Sequence, residues 1–124
     1  MPRELTILGP TLLGDAEFRP AAAAVDPGIG MRLVRDGLVA RFTDGDGRLL
    51  ATVQHPRRVR STSEVRRLLP DVPTLPPEAD GGGWWWTDVF VPFDDETEPI
   101  GSALATAIAE RAHGVLSAQD ARRR

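Results

Sequence analysis

At 124 residues, with 41% hydrophobic and 27% charged residues, the chain suits one compact domain with a real core rather than a disordered segment. It contains no cysteine, which excludes disulfide frameworks, thiolate zinc sites, iron–sulfur clusters and cysteine nucleophiles. A formal net charge of -3 sets the general field against polyanion binding.

All 15 basic residues are arginine and none is lysine, while alanine, glycine and proline are abundant. Lysine codons are A-rich, so this is the signature of a high-GC genome such as an actinobacterium's, and arginine content alone is no sign of nucleic-acid affinity. The start MPRELTILGPTLLGD lacks the basic and apolar regions of a signal peptide. No apolar run approaches the roughly 18 residues of a membrane span, and the cytoplasm is the expected location.

Leu5 to Leu8 reads as a short strand stopped by Gly9-Pro10. The variable segment up to Gly30 allows one short helix, over Leu12 to Ala24 and broken at Pro20. Met31 to Val34, Leu38 to Thr43 and Arg48 to Gln54 form a β-meander, with an Asp36-Gly37 hairpin signal and a second turn at Asp44 to Gly47. Leu38, Ala40 and Phe42 as one face, with Leu49, Ala51 and Val53 as its partner, give an alternation that suits a sheet with one buried side and places the meander at its centre.

Ser61-Thr62-Ser63-Glu64 offers a capping box for a short helix with Val65, Leu68 and Leu69 inward. A proline-rich connection runs from Pro70 to Gly83. Trp84 to Phe93 reads as a strand, and Pro99 to His113 as a helix whose apolar stripe is Ile100, Leu104, Ile108 and Ala112. Val115 and Leu116 extend that helix or make a short strand. The expected fold is α+β, a single domain over 1–118 with a tail at 119–124. Its order is β, variable segment, β-β-β, α, loop, β, α, in one mainly antiparallel sheet with helices packed on one face.

All three tryptophans lie in GGGWWWTDVFVPFDD. On strand alternation Trp85, Thr87, Val89, Val91 and Phe93 face the helices, which leaves Trp84, Trp86 and Phe90 on the second face, where Asp88 among them argues against a dry core. Two readings stay open. The variable segment, through Leu12, Leu13 and Phe18, folds over these rings, or the rings dock a partner or a second copy of the chain.

Charge is distributed unevenly. Arg57, Arg58, Arg60, Arg66 and Arg67 stand against Glu64 alone, whereas Asp71 to Glu98 carries acids and no basic residue. The sequence His55-Pro-Arg57-Arg58-Val-Arg60 could hold an acidic peptide, but it lacks the interleaved aromatics of a nucleic-acid site. Asp44-Gly-Asp46-Gly lacks the later ligands of a calcium loop and reads as a turn. His55 and His113 are at no metal-ligand spacing, Gly28-Ile-Gly30 is no dinucleotide fingerprint, and no serine has nucleophile context. No catalytic residue, cofactor or metal is expected.

Four motifs in order carry a resemblance: Asp44 to Leu50 (DGDGRLL), Val59 to Leu69 (VRSTSEVRRLL), Trp85 to Val89 (WWTDV) and the helix from Leu104 to Gly114. Together they resemble the N-terminal region of an actinobacterial family of unknown function, the DUF6177 family. Asp88 replaces a glutamate, Trp84 is additional, and the acidic, proline-rich insert before the tryptophans is longer. The resemblance implies no reaction, but an association with type VII secretion loci and an accessory or chaperone-like role. The expected function is a non-enzymatic protein-binding module, with Trp84, Trp86 and Phe90 as the main contact and Arg57, Arg58 and Arg60 as a second. A self-associating structural protein, or an immunity protein binding a secreted toxin through the acids of Asp94 to Glu98, are the alternatives. Nucleic acid and membrane are not expected partners.

Overall fold

Apolar residues at both parities of a strand demand cover on both of its faces, and two segments meet that condition. They are β1 (Arg3–Gly9) and β6 (Trp85–Val91), which pair antiparallel over seven residues, from Arg3 opposite Val91 to Gly9 opposite Trp85. The computed structural model describes residues 3–73, 75–80 and 82–118; the tail expected at 119–124 lies outside them. The other elements are α1 (Asp15–Val25), β2 (Gly30–Val34), β3 (Val39–Thr43), β4 (Leu49–Gln54), β5 (Arg57–Arg58), α2 (Thr62–Leu68), α3 (Glu98–Arg111) and β7 (Val115–Ala118).

The fold is α+β around one antiparallel sheet of order β2-β3-β4-β6-β1-β7, with β5 also paired to β6. The expected meander is present, but β2 is an edge strand and the meander is not the centre. β2 is largely exposed, while β1 and β6 carry the apolar residues that a central position requires. Its hairpin turns through left-handed Arg35 (φ 52°), Asp36 (φ 56°) and Gly37 (φ 84°). The expected break at Pro20 does not occur: α1 runs through it.

The main core joins Leu5 and Ile7 of β1, Phe42 of β3, and Val89 and Val91 of β6 to Leu104 and Ile108 of α3. Phe18 of α1 meets Phe42 edge-on, with ring centroids 5.8 Å apart. Helix α3 can lie this close to the sheet because Gly101 faces it. A Cβ there would fall 2.7 Å from Val91 Cγ1 and against the backbone carbonyl of Leu50.

α2 corrects the expectation of helices on one face. α1 and α3 share the main core, but Val65 and Leu69, on α2 and at its C-cap, join Leu8, Val59 and Trp86 in a second core on the opposite face. Ser61 caps α2 as expected, accepting from the Ser63 amide at 3.2 Å. The reciprocal Glu64 contact of a capping box is replaced by Asp80, which accepts from the Thr62 amide at 2.7 Å. The acceptor thus comes from the proline-rich connection and ties it to the helix.

The Asp44 turn is anchored by its own carboxylate. Asp44 Oδ1 accepts from the amides of Asp46 and Arg48, and Arg48 bridges Asp44 Oδ2 at 2.8 Å to Glu96 Oε2 at 2.6 Å. The Arg48 amide, then the Arg48 guanidinium and the Asp46 amide, hold the Asp44 carboxyl below its ordinary value, against a smaller upward push from desolvation. Asp94 is likewise lowered, by the amides of Glu96 and Thr97 ahead of α3.

Two outcomes follow. Gly101→Ala, which favours an isolated helix, lowers stability here by about 1–3 kcal/mol through overpacking; a thermal melt at or above the wild-type midpoint would place α3 farther from the sheet. Asp44 and Asp94 titrate below 3.8 in the folded protein. Their contribution to stability is therefore complete above the unfolded value and lost as pH falls through the folded one. Side-chain NMR titration of Arg48→Met moves Asp44 upward only part of the way, since the residue 48 amide remains; an unmoved Asp44 would remove Arg48 as a cause.

Candidate partner-binding groove

After β4 the chain breaks at His55-Pro56 and returns to the sheet for two residues. Arg57 stands opposite Trp86 and Arg58 opposite Trp85, so strand alternation sends the two arginines to opposite faces, each with its own indole. The Arg57 guanidinium lies 5.0 Å from the Trp86 ring centroid, and that of Arg58 lies 4.9 Å from the Trp85 centroid. These are cation–π stacks. Arg58 Nη1 also donates to the Gly82 carbonyl at 3.2 Å. The Val59 amide donates to the Trp84 carbonyl at 2.9 Å, which turns the Val59 side chain into the second core and leaves Arg60 exposed.

Between β5, the exposed side of α2 and Trp86 lies a cavity of about 750 Å³, whose lining includes Arg57, Arg58, Arg60, Glu64, Leu68 and Trp86. Arg57, Arg58 and Arg60 all contribute to this lining against one carboxylate, that of Glu64, with the Arg58 head group on the Trp85 side. Among the described residues none of the three arginines is ion-paired. Stacking on an indole holds a guanidinium flat while leaving its N–H edge open to a carboxylate. The arrangement is a partly preorganised acceptor for anionic groups with an apolar floor.

The six residues expected at the interface divide. Arg57, Arg58, Arg60 and Trp86 come together in this groove. Trp86 is only 8% exposed, and it is the largest member of the second core. Trp84 is half-buried against that core. Phe90 lies four residues along β6, roughly 13 Å away at about 3.3 Å per residue, in neither core. The two tryptophans and Phe90 therefore do not form one open aromatic face.

The expected cover is also corrected. Leu13 and Phe18 belong to the main core and Leu12 is exposed, so the N-terminal segment does not reach Trp86; Val65, Leu69, Val72 and Leu75 cover it instead. Asp88, read as a mark of a wet face, accepts from Trp86 Nε1 at 2.8 Å and from Thr6 Oγ1 at 3.1 Å. Trp85 and Phe93 do not join the main core as expected. Trp85 is half-buried under Arg58, and Phe93, past Pro92, is 61% exposed.

Glu64 and Leu68 were not expected in a site. The only signal for them is helical spacing, which puts them one turn apart, beside Ser61. A smaller cavity of about 230 Å³ has both His55 and Asp15 in its lining, with no hydrogen bond or ion pair between them; Asp15 holds Arg19 at 3.1 Å. Among the described residues no group of three or more His, Asp or Glu is placed to hold a metal, and no helix is long and apolar enough to cross a membrane. No family model, curated protein or solved structure matches the chain.

Trp86→Ala empties the second core and costs about 3–5 kcal/mol in a denaturant titration, whereas Arg57→Gln/Arg58→Gln/Arg60→Gln, altering exposed side chains, shifts stability by about 1 kcal/mol or less. Equal stabilities for the two variants would mean that Trp86 is not a core residue.

Proposed function

We propose that this protein is a non-enzymatic, cytoplasmic protein-binding module, and that its groove receives an acidic segment of the partner. The observation that carries this reading is one cavity of about 750 Å³ whose lining includes Arg57 stacked on Trp86, together with Arg58 and Arg60, with no ion pair to any of the three among the described residues. Stacking removes part of the rotamer entropy that arginine otherwise loses on binding. Carboxylates then meet guanidinium groups already held in place, and an apolar side chain beside them finds Leu68 and Trp86. The role as an accessory or chaperone-like factor of a type VII secretion system rests on the sequence resemblance alone.

Three of the four acids in Asp94 to Glu98, the alternative toxin-binding segment, are engaged within the chain. Asp94 accepts from the amides of Glu96 and Thr97, Glu96 pairs with Arg48, and Glu98 pairs with Arg3 at 2.9 Å. The arginine groove is the better-supported contact.

Its test is affinity capture from an actinobacterial lysate with the wild type beside the Arg57→Gln/Arg58→Gln/Arg60→Gln variant, both confirmed folded by circular dichroism. One protein with an acidic segment is enriched by the wild type and lost with the variant. Equal recovery on both would sink the reading.

A further inference from the structure

The sheet face opposite α1 and α3 is closed around Trp86 by the second core, but that core stops short of β2, β3 and β4. Across them runs one cross-strand row. Arg32 stands opposite Arg41, Arg41 opposite Thr52, Thr52 opposite Phe90, and Phe90 opposite Glu4. The neighbouring Met31, Phe42, Ala51 and Val89 point into the main core or pack against it, so alternation turns the row to the other side. None of its members belongs to either core; Arg32 and Arg41 are exposed, and Thr52 and Phe90 are half-buried.

Like charges directly opposite on neighbouring strands repel, and among the described residues neither Arg32 nor Arg41 has a carboxylate partner. The row is also continuous with the groove. Thr52 stands opposite Phe90 and Arg57 opposite Trp86, four residues or roughly 13 Å apart along β6 at about 3.3 Å per residue. Phe90 and Trp86 lie on the same face of β6.

We propose that groove and row are one surface, which takes a single extended acidic segment of a partner protein, running from Arg60 and Arg57 past Thr52 and Phe90 to Arg41 and Arg32. This extension rests on the groove reading above. Arg32 and Arg57 lie on the order of 20 Å apart across and along the strands, a distance that about six extended residues cover. A carboxylate chain fits better than a nucleic acid: between the arginines the row offers a single ring and a hydroxyl, too little for base stacking, and it ends at Glu4. A peptide can set acids against the arginines and an apolar residue on Phe90. A second copy of this chain is a poorer occupant, because three of the four acids of its exposed 94–98 loop, Glu96, Glu98 and Asp94, are held by Arg48, by Arg3 and by the start of α3.

The test is fluorescence anisotropy with fluorescein-labelled tetraglutamate and octaglutamate at low salt. Proteins are the wild type, Arg32→Gln/Arg41→Gln and Arg57→Gln/Arg60→Gln, all altered only at exposed side chains. The wild type binds octaglutamate at least about twentyfold more tightly than tetraglutamate, beyond the roughly fivefold that the overlapping four-residue registers of the longer peptide supply statistically. Arg32→Gln/Arg41→Gln reduces the gain to that statistical factor and leaves tetraglutamate binding unchanged; Arg57→Gln/Arg60→Gln weakens both. A wild-type gain no greater than the statistical factor, or undiminished octaglutamate binding by Arg32→Gln/Arg41→Gln, overturns the extension while the groove reading stands. No tetraglutamate binding by the wild type, or none of it lost in Arg57→Gln/Arg60→Gln, removes the groove reading and this extension together. Tighter binding of an eight-nucleotide single strand than of octaglutamate reassigns the surface to nucleic acid. A wild-type dimer that octaglutamate dissociates reassigns it to a second copy.

Discussion

The antiparallel pairing of β1 with β6 is the constraint on which the other elements depend. Both strands are apolar at both parities, so neither can sit at a sheet edge or leave a face in water without forgoing burial of roughly 25 cal/mol for each Å² of apolar surface. One parity, Leu5, Ile7, Val89 and Val91, calls for α1 and α3; the other, Leu8 and Trp86, calls for α2 and the chain after it. The two cores are unequal, and the smaller is built around one indole.

That inequality shapes the binding surface. A large second core would have required a helix across the whole face, covering the arginines of the meander. Instead, α2 is seven residues long and shelters only the region near Trp86. Beside it β5 is held by a two-residue ladder, two stacks on indoles and the Val59 anchor, so the arginines stand on a braced support rather than a free loop. Trp86 serves both sides: its ring fills the second core, its exposed margin supports Arg57, and its N–H is fixed by Asp88.

Much of the fold was legible in the sequence. Alternation of Ala40 with Phe42 and of Ala51 with Val53, the Asp-Gly turn, the Ser61 cap and the four-residue spacing of α3 each have a local physical cause, and each matches an observed element. Leu38, expected inward, is exposed, and Leu50 rather than Leu49 enters the core beside the register shift at Phe42 and Thr43. Strand neighbours were harder to read, because the meander's clean alternation suggested a central place that β1 and β6 occupy. Trp86 was assigned to the correct face, but its cover was not identified. Val65 and Leu69 looked like any short helix stripe, and nothing local says which side of a sheet such a stripe will meet. Of the site, the arginine cluster was visible as composition, whereas its stacking depends on β5, a strand too short to leave a pattern. Asp88 was misread because a carboxylate beside an indole can mark either solvent or a hydrogen bond, and only the geometry distinguishes them.

The two-sided use of β6 also bears on how such a chain can diverge. A one-residue insertion or deletion within Trp85–Val91 would exchange the occupants of both cores at once, moving Trp86 toward α3 and Val89 toward α2. Substitution is therefore the tolerable route of change inside that strand. The proline-rich connection before it, joined to the rest at Asp71, Val72, Leu75, Ala79, Asp80 and Gly82, can lengthen or shorten between those points without shifting any register. Length variation among descendants of this fold would collect there, next to the groove, where it would alter what the groove admits while leaving the sheet unchanged.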